Sequence, residues 1–130
     1  MKVLFIEDNP LNRRVVREML HIGGVEMSEA ESGEAGLEMV AREEAYDLLL
    51  VDLRMPGMDG FEAIRRIRAR DDEKADVPMI VVTADTGSDL SEQCAAAGAD
   101  DVLQKPVSMN ALFEAIARVL NARGGGGALI

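Results

Sequence analysis

Three short, almost unbroken apolar runs, Val3-Leu4-Phe5-Ile6, Leu48-Leu49-Leu50-Val51 and Met79-Ile80-Val81-Val82, alternate along the chain with longer segments of helical spacing. A strand that is apolar on both faces must be covered on both, which is the situation of an interior strand in a parallel sheet built from crossover units. The pattern predicts strands over Lys2–Ile6, Glu26–Ala30, Asp47–Val51, Met79–Thr83 and Asp101–Gln104. Glu26-Met-Ser-Glu-Ala30 is more polar and suits an edge. Helices are predicted over Leu11–Leu20, Gly33–Arg42, Gly60–Arg70, Leu90–Ala97 and Met109–Ala122, where apolar residues recur at three and four. Phe61, Ile64 and Ile67 mark one face of the third, and Leu112, Ile116, Val119 and Leu120 one face of the fifth. Asn9-Pro10 supplies a start for the first helix, Ser108 an N-cap for the last and Gly98 a stop for the fourth. Asp71–Asp76 reads as a charged connector, and the Gly124–Gly127 run should end the last helix. The expected organisation is one domain over residues 1–122 and a flexible Gly-rich tail or linker over residues 123–130.

The charge balance narrows the function. A formal net charge of −10 opposes the basic footprint needed to neutralise nucleic-acid phosphates or to dock on anionic lipid, so no direct nucleic-acid partner is expected. No run approaches the ~18 apolar residues of a membrane span. The apolar stretch after Met1-Lys2 is shorter than that of a signal peptide, and the lone Cys94 leaves no internal disulfide. The expected compartment is the cytoplasm, without membrane insertion.

In an open α/β sheet, ligands bind beyond the carboxyl ends of the strands. That rule selects Glu7 and Asp8 after the first strand, Asp52 at the end of the third, Thr83 at the end of the fourth and Lys105 at the end of the fifth. Three acids at one mouth repel each other unless a cation sits among them. Mg²⁺ suits such a site, since it takes one or two carboxylates, a carbonyl, phosphate oxygens and waters. The ammonium of Lys105 and the hydroxyl of Thr83 could bind the remaining oxygens of an arriving phosphoryl group. Taken singly, an acid after a strand is more often an N-cap or a solvated charge. Five groups of complementary chemistry at the same end of their strands are a poor accident.

From roughly Lys2 to Leu120 the chain closely resembles the response-regulator receiver family. The resemblance is carried by Glu7-Asp8-Asn9, by Asp52-Leu-Arg-Met-Pro-Gly-Met-Asp-Gly60, by Val82-Thr83-Ala84, by Gly98-Ala-Asp and by Lys105-Pro106. It implies a three-layer, flavodoxin-like (βα)5 fold with strand order 2-1-3-4-5. It implies a phosphoacceptor role for Asp52, direct Mg²⁺ ligation by Asp8, an ion partner acting through water in Glu7, and the Arg54 backbone carbonyl as a further ligand. Mn²⁺ is an allowed substitute. Thr83 and Lys105 would bind the phosphoryl group, and the Lys105-Pro106 bond would be cis. The partner implied is a histidine kinase or a histidine phosphotransfer protein, docking along Leu11, Asn12 and Val15 and around Pro106 and Val107. The signal would pass to a downstream protein, and the chain would be a signalling phosphoacceptor rather than an enzyme. It would be either a stand-alone regulator or a piece of a hybrid kinase or larger regulator.

One departure concerns the switch. Many receivers carry an aromatic residue three positions before the strand-five lysine, moving in concert with the switch threonine, here Thr83; this chain has Val102 there. Arg54 and Asp85, two residues after Asp52 and Thr83, have opposite charges and are expected to pair over the mouth and restrict attacking water. His21 reads as a helix-end residue, Cys94 as a small buried residue, and Met19, Met39 and Met79 as core filler. Met55 and Met58 are either exposed for partner contact or packed. A haloacid-dehalogenase-type phosphatase would need a second acid where Arg54 stands, and a flavin phosphate would be repelled by Glu7-Asp8. A degenerate interaction domain would be expected to have lost some of the acidic, threonine and lysine positions kept here.

Overall fold

The computed structural model describes residues 1–42 and 45–125. Its elements follow in the order β1 (Lys2–Ile6), α1 (Pro10–Ile22), β2 (Glu26–Ala30), α2 (Gly33–Arg42), β3 (Leu48–Val51), α3 (Gly60–Arg68), β4 (Met79–Thr83), α4 (Leu90–Ala97), β5 (Asp101–Gln104) and α5 (Met109–Leu120). All strand pairings are parallel, in the order β2-β1-β3-β4-β5. The apolar runs therefore become the three central strands, and the polar run becomes an edge.

The period of two along each strand sorts side chains into two cores. Leu4, Ile6, Leu49, Val51, Met79 and Val81 face a layer that includes Val40, Ile64, Ile67, Leu90 and Cys94, from α2, α3 and α4. Val3, Phe5, Leu48, Leu50, Ile80 and Val82 face Val16, Leu20, Leu112 and Ile116, from α1 and α5. Three layers result. Because nearly every residue of β1, β3 and β4 is fully buried, a one-residue slip would move each strand's apolar set to the wrong core. Register is thus strongly specified, and with it the height at which each strand delivers the residue beyond its end.

The caps act as the sequence predicts. Asn9 Oδ1 accepts from the amides of Leu11 (2.8 Å) and Asn12 (3.3 Å), with Pro10 at the first position of α1. Ser108 Oγ accepts from Ala111 N at 3.1 Å, and Gly98 closes α4 at φ 118°, a conformation that strains any side chain. Three ends fall short of the predicted bounds; β3 begins at Leu48 rather than Asp47, whose carboxylate accepts from Lys2 N at 2.7 Å, and two helices stop early. Helix α3 stops at Arg68, whose guanidinium donates to the carbonyls of Ala75 (2.7 Å), Val77 (2.6 Å) and Gly98 (2.8 Å). Helix α5 stops at Leu120 and passes into a wider π turn over Asn121–Gly125, with Arg123 Nε 3.1 Å from Asp100 Oδ1. Of the predicted tail, residues 126–130 lie outside the described ones. The charged connector contains a 3₁₀ turn, Glu73–Asp76, capped by Asp72.

Met79 is fully buried, and Met19 and Met39 pack against the cores. Met55 belongs to the α2–α3–α4 core, and Met58 is half-buried against Gly33, so both pack rather than present an open surface. Among the described residues no helix is long and apolar enough to cross a membrane.

Gly60 ties the fold to the mouth of the sheet. A Cβ there would lie 2.2 Å from the carbonyl oxygen of Asp52 and 2.8 Å from Leu53 Cα, both main chain that no rotamer change can move aside. Gly60→Ala is expected to destabilise the chain by about 2–3 kcal/mol, read as a lowered urea midpoint at unchanged m-value. Burial pushes the Cys94 thiol up from its ordinary range, and the charge of Asp85 adds to this. Cys94 should therefore resist a thiol-specific reagent in the native state and react at the rate of a free thiol once urea unfolds the chain.

Candidate functional site

Strand register brings the acids together. β1 and β3 pair with Ile6 opposite Val51, so the next residues, Glu7 and Asp52, leave the sheet side by side, and Asp52 N donates to the Ile6 carbonyl at 3.0 Å. Glu7 is 1% exposed and Asp52 4%, while Asp8, one residue further along, is exposed. A carboxylate oxygen from each of the three lies within 4.8 Å of the others. Three like charges at that spacing in a half-desolvated mouth need a counter-charge.

The chain supplies one. Lys105, just beyond β5, places Nζ 2.7 Å from Glu7 Oε1 and 3.4 Å from Asp52 Oδ1. Burial alone would push this ammonium's pKa down, but the hydrogen bond to Glu7 and the charge of Asp52 outweigh it, and the net shift is upward. Lys105 stays charged throughout the neutral range. Its backbone amide donates to the Thr83 carbonyl at 2.8 Å, and the Lys105-Pro106 peptide is cis.

Thr83 is fully buried at the end of β4, and its hydroxyl oxygen accepts from Asp85 N at 3.0 Å. Asp85 in turn receives Arg54 Nε on its carboxylate at 2.7 Å, the pair that the opposite charges predict. Arg54 is 80% exposed. Val102 is half-buried against the α2–α3–α4 core, where it holds no ring.

The residues predicted for docking also gather. A groove of about 420 Å³ is lined by Asn12, Val15, Pro106 and Val107, with Lys105 among its walls. Leu11 does not line it, but stands 65% exposed on the same helix.

Three contacts escape sequence reasoning. Asn12 Nδ2 donates to Glu7 Oε1 at 3.1 Å, and Arg13 Nη1 donates to the Glu7 carbonyl at 2.7 Å. Gln104 Nε2 donates to the Asp85 carbonyl at 2.7 Å. The signal for the first two was the Asn9 cap, which turns the opening of α1 back over the loop that holds Glu7.

A family model for the response regulator receiver domain matches residues 3–117. Sensor protein GacS of Pseudomonas syringae is 36% identical over 117 residues, which is 88% of this chain and 13% of that protein. A cyclic di-GMP phosphodiesterase of Thermotoga maritima is 35% identical over 123 residues, 95% of this chain and 32% of that one. The chain thus spans about a third or less of the length of these relatives. Among solved structures, the receiver domain of a Pseudomonas aeruginosa sensor histidine kinase, with a magnesium ion coordinated in its active-site cleft, matches at TM-score 0.83 and 33% identity, covering 92% of this chain and 97% of that one. Chemotaxis protein CheY4 of Vibrio cholerae matches at TM-score 0.84 and 28% identity, covering 92% and 98%. With the acids and the lysine gathered at the strand ends, these matches make the chain a member of the response regulator receiver domain family.

Proposed function

We propose that Asp52 accepts a phosphoryl group from a phosphohistidine donor, with Mg²⁺ held at Glu7, Asp8 and Asp52. A receiver domain serves two-component or phosphorelay signalling, as a phosphoacceptor rather than an enzyme, and implies a histidine kinase or phosphotransfer partner. The observation that carries the proposal is the close set of three carboxylates with one ammonium laid against two of them.

The donor set fits the ion. All three side chains offer hard anionic oxygens, and Asp8, the exposed one, leaves room for the waters that Mg²⁺ keeps. Asp8 and Asp52 would ligate directly, the Arg54 carbonyl would add a third protein oxygen, and Glu7 would act through water; Mn²⁺ has the same donor preference. When bound, Mg²⁺ supplies positive charge that neutralises phosphoryl oxygens and lines them up for attack.

Asp52 is the nucleophile. One carboxylate oxygen bonds to phosphorus as the phosphorus–nitrogen bond to the donor imidazole breaks, and the imidazole keeps that electron pair and is protonated from solvent. Lys105 moves its ammonium from the two carboxylates to a phosphoryl oxygen, and the Thr83 hydroxyl donates to another. Water later attacks phosphorus, releasing inorganic phosphate and restoring the carboxylate. The donor docks on the groove formed by Asn12, Val15, Pro106 and Val107, together with Leu11. The message leaves through contacts with a downstream protein.

Intact mass after incubation with a small-molecule phosphodonor and Mg²⁺ tests the assignment. The native chain should gain one phosphoryl group and lose the gain in EDTA, and Asp52→Asn should stay unmodified. An unmodified native chain would overturn the proposal.

Arg54 and Asp85 are proposed to slow hydrolysis by closing the mouth to water. An exposed pair contributes about 0–1 kcal/mol, so Arg54→Ala or Asp85→Ala should shorten the phosphoryl lifetime by no more than about fivefold. Unchanged lifetimes in both variants would remove the pair from rate control.

A further inference from the structure

A buried carboxylate needs hydrogen-bond partners for both oxygens. Glu7 finds them in three places. Its Oε1 accepts from Lys105 Nζ at 2.7 Å and from Asn12 Nδ2 at 3.1 Å, and its Oε2 accepts from Asn9 N at 3.4 Å. The main chain of Glu7 is held as well. Arg13 donates to its carbonyl at 2.7 Å, and the same guanidinium grips Glu29 on β2 at 2.9 Å.

The two side-chain donors on Oε1 differ in what the reaction asks of them. Lys105 also faces Asp52 and is the group that would turn to an arriving phosphoryl oxygen. Asn12 faces no reacting group. Its backbone is fixed in the first turn of α1 by the Asn9 cap, 3.3 Å from Asn12 N to Asn9 Oδ1. When Lys105 leaves Glu7, Asn12 is the side-chain donor that remains on Oε1. Being a neutral amide, it orients the carboxylate without placing a positive charge beside a cation.

From this geometry we infer that Asn12 is a positioning residue of the cation site. Its amide holds the Glu7 carboxylate towards those of Asp8 and Asp52, and its main effect is on Mg²⁺ affinity rather than on partner docking. The inference rests on the reading of Glu7, Asp8 and Asp52 as a Mg²⁺ site. It separates Asn12 from its groove neighbours Val15, Pro106 and Val107, which make no polar contact with the acids among the hydrogen bonds of the described residues. Groups that orient metal-site residues from behind commonly change metal affinity by about 10–100-fold when removed.

Titrating the full chain with Mg²⁺ and following amide chemical shifts reads the affinity directly, with no partner and no phosphoryl group present. Asn12→Leu should raise the dissociation constant about tenfold, whereas Asn12→Gln, which keeps the amide, should stay within about threefold of native. Arg14→Ala, on the exposed side of the same helix, should leave it unchanged. Phosphorylation by a small-molecule donor should then be slowed in Asn12→Leu at low Mg²⁺ and recover at saturating Mg²⁺. A pure docking role would leave that rate native throughout. Melting curves in EDTA check that each variant is folded; should Asn12→Leu fail, Asn12→Ser is judged by the same limits. The inference is overturned if Asn12→Leu binds within about twofold of native, or if Asn12→Gln is as weak as Asn12→Leu. A native chain with no saturable response to Mg²⁺ would instead overturn the cation reading itself, and that result is seen before any variant is made.

Discussion

Everything at the mouth depends on the pairing of β1 with β3. Because Ile6 lies opposite Val51, the chain must release Glu7 and Asp52 at the same height, and both are almost fully buried where they emerge. That arrangement opposes folding. Two carboxylates leave bulk water and a third, Asp8, stands beside them, so part of the free energy of the two apolar cores is spent on holding like charges together. Lys105 offsets this by bridging Glu7 and Asp52 from the far side of the sheet. A single ammonium against three carboxylates still leaves the mouth negative. The residual field is what makes the site receptive to a divalent cation and, once that is bound, to a phosphoryl group that the bare acids would repel.

The core was legible in the sequence because its cause is local. A run such as Leu48-Leu49-Leu50-Val51 has one comfortable environment, and β1, β2, β4 and β5 begin and end where the pattern places them. The site residues were legible for a related reason, since the end of a strand is a position that the apolar pattern itself marks. What resisted reading was polar and distant. Arg68 ends α3 early because its guanidinium collects carbonyls from Ala75, Val77 and Gly98, and no spacing rule announces a partner thirty residues away. Lys105 and Glu7 are 98 residues apart, so their contact could be inferred only through the topology. The burial of Met55 and Met58 does not follow from the sequence, because a loop residue's burial depends on which helix lies above it; here Gly33 of α2 leaves the space for Met58.

The Asp85 loop ties the end of β4 to its neighbours at the place where the usual ring is absent. Asp85 is tied by its amide to Thr83, by its carbonyl to Gln104 and by its carboxylate to Arg54, so one residue joins β4, β5 and the loop after β3. Gln104 is also the register partner of Thr83. Any displacement of Thr83 towards Asp52 must therefore strain or break bonds at Asp85, whatever side chain stands at position 102. Val102, packed beneath on the α2–α3–α4 core, is too short to swing as a lever.

The energetic scale of such a device follows from its exposure. Hydrogen bonds of this kind have a net worth of about 0.5–1.5 kcal/mol, and the exposed Arg54–Asp85 pair about 0–1 kcal/mol. Rearranging the loop thus changes the balance of states by a few kcal/mol at most, on the order of a tenfold to hundredfold shift in population. A ring moving between buried and exposed positions would add a larger packing difference. Under the proposed function, polar ties alone would leave the two arrangements of this loop close in energy, so that a protein gripping one of them would bias the outcome on the same scale as the phosphoryl group. Partner binding and phosphorylation would then be linked reciprocally, and a partner favouring the phosphorylated state would also stabilise it.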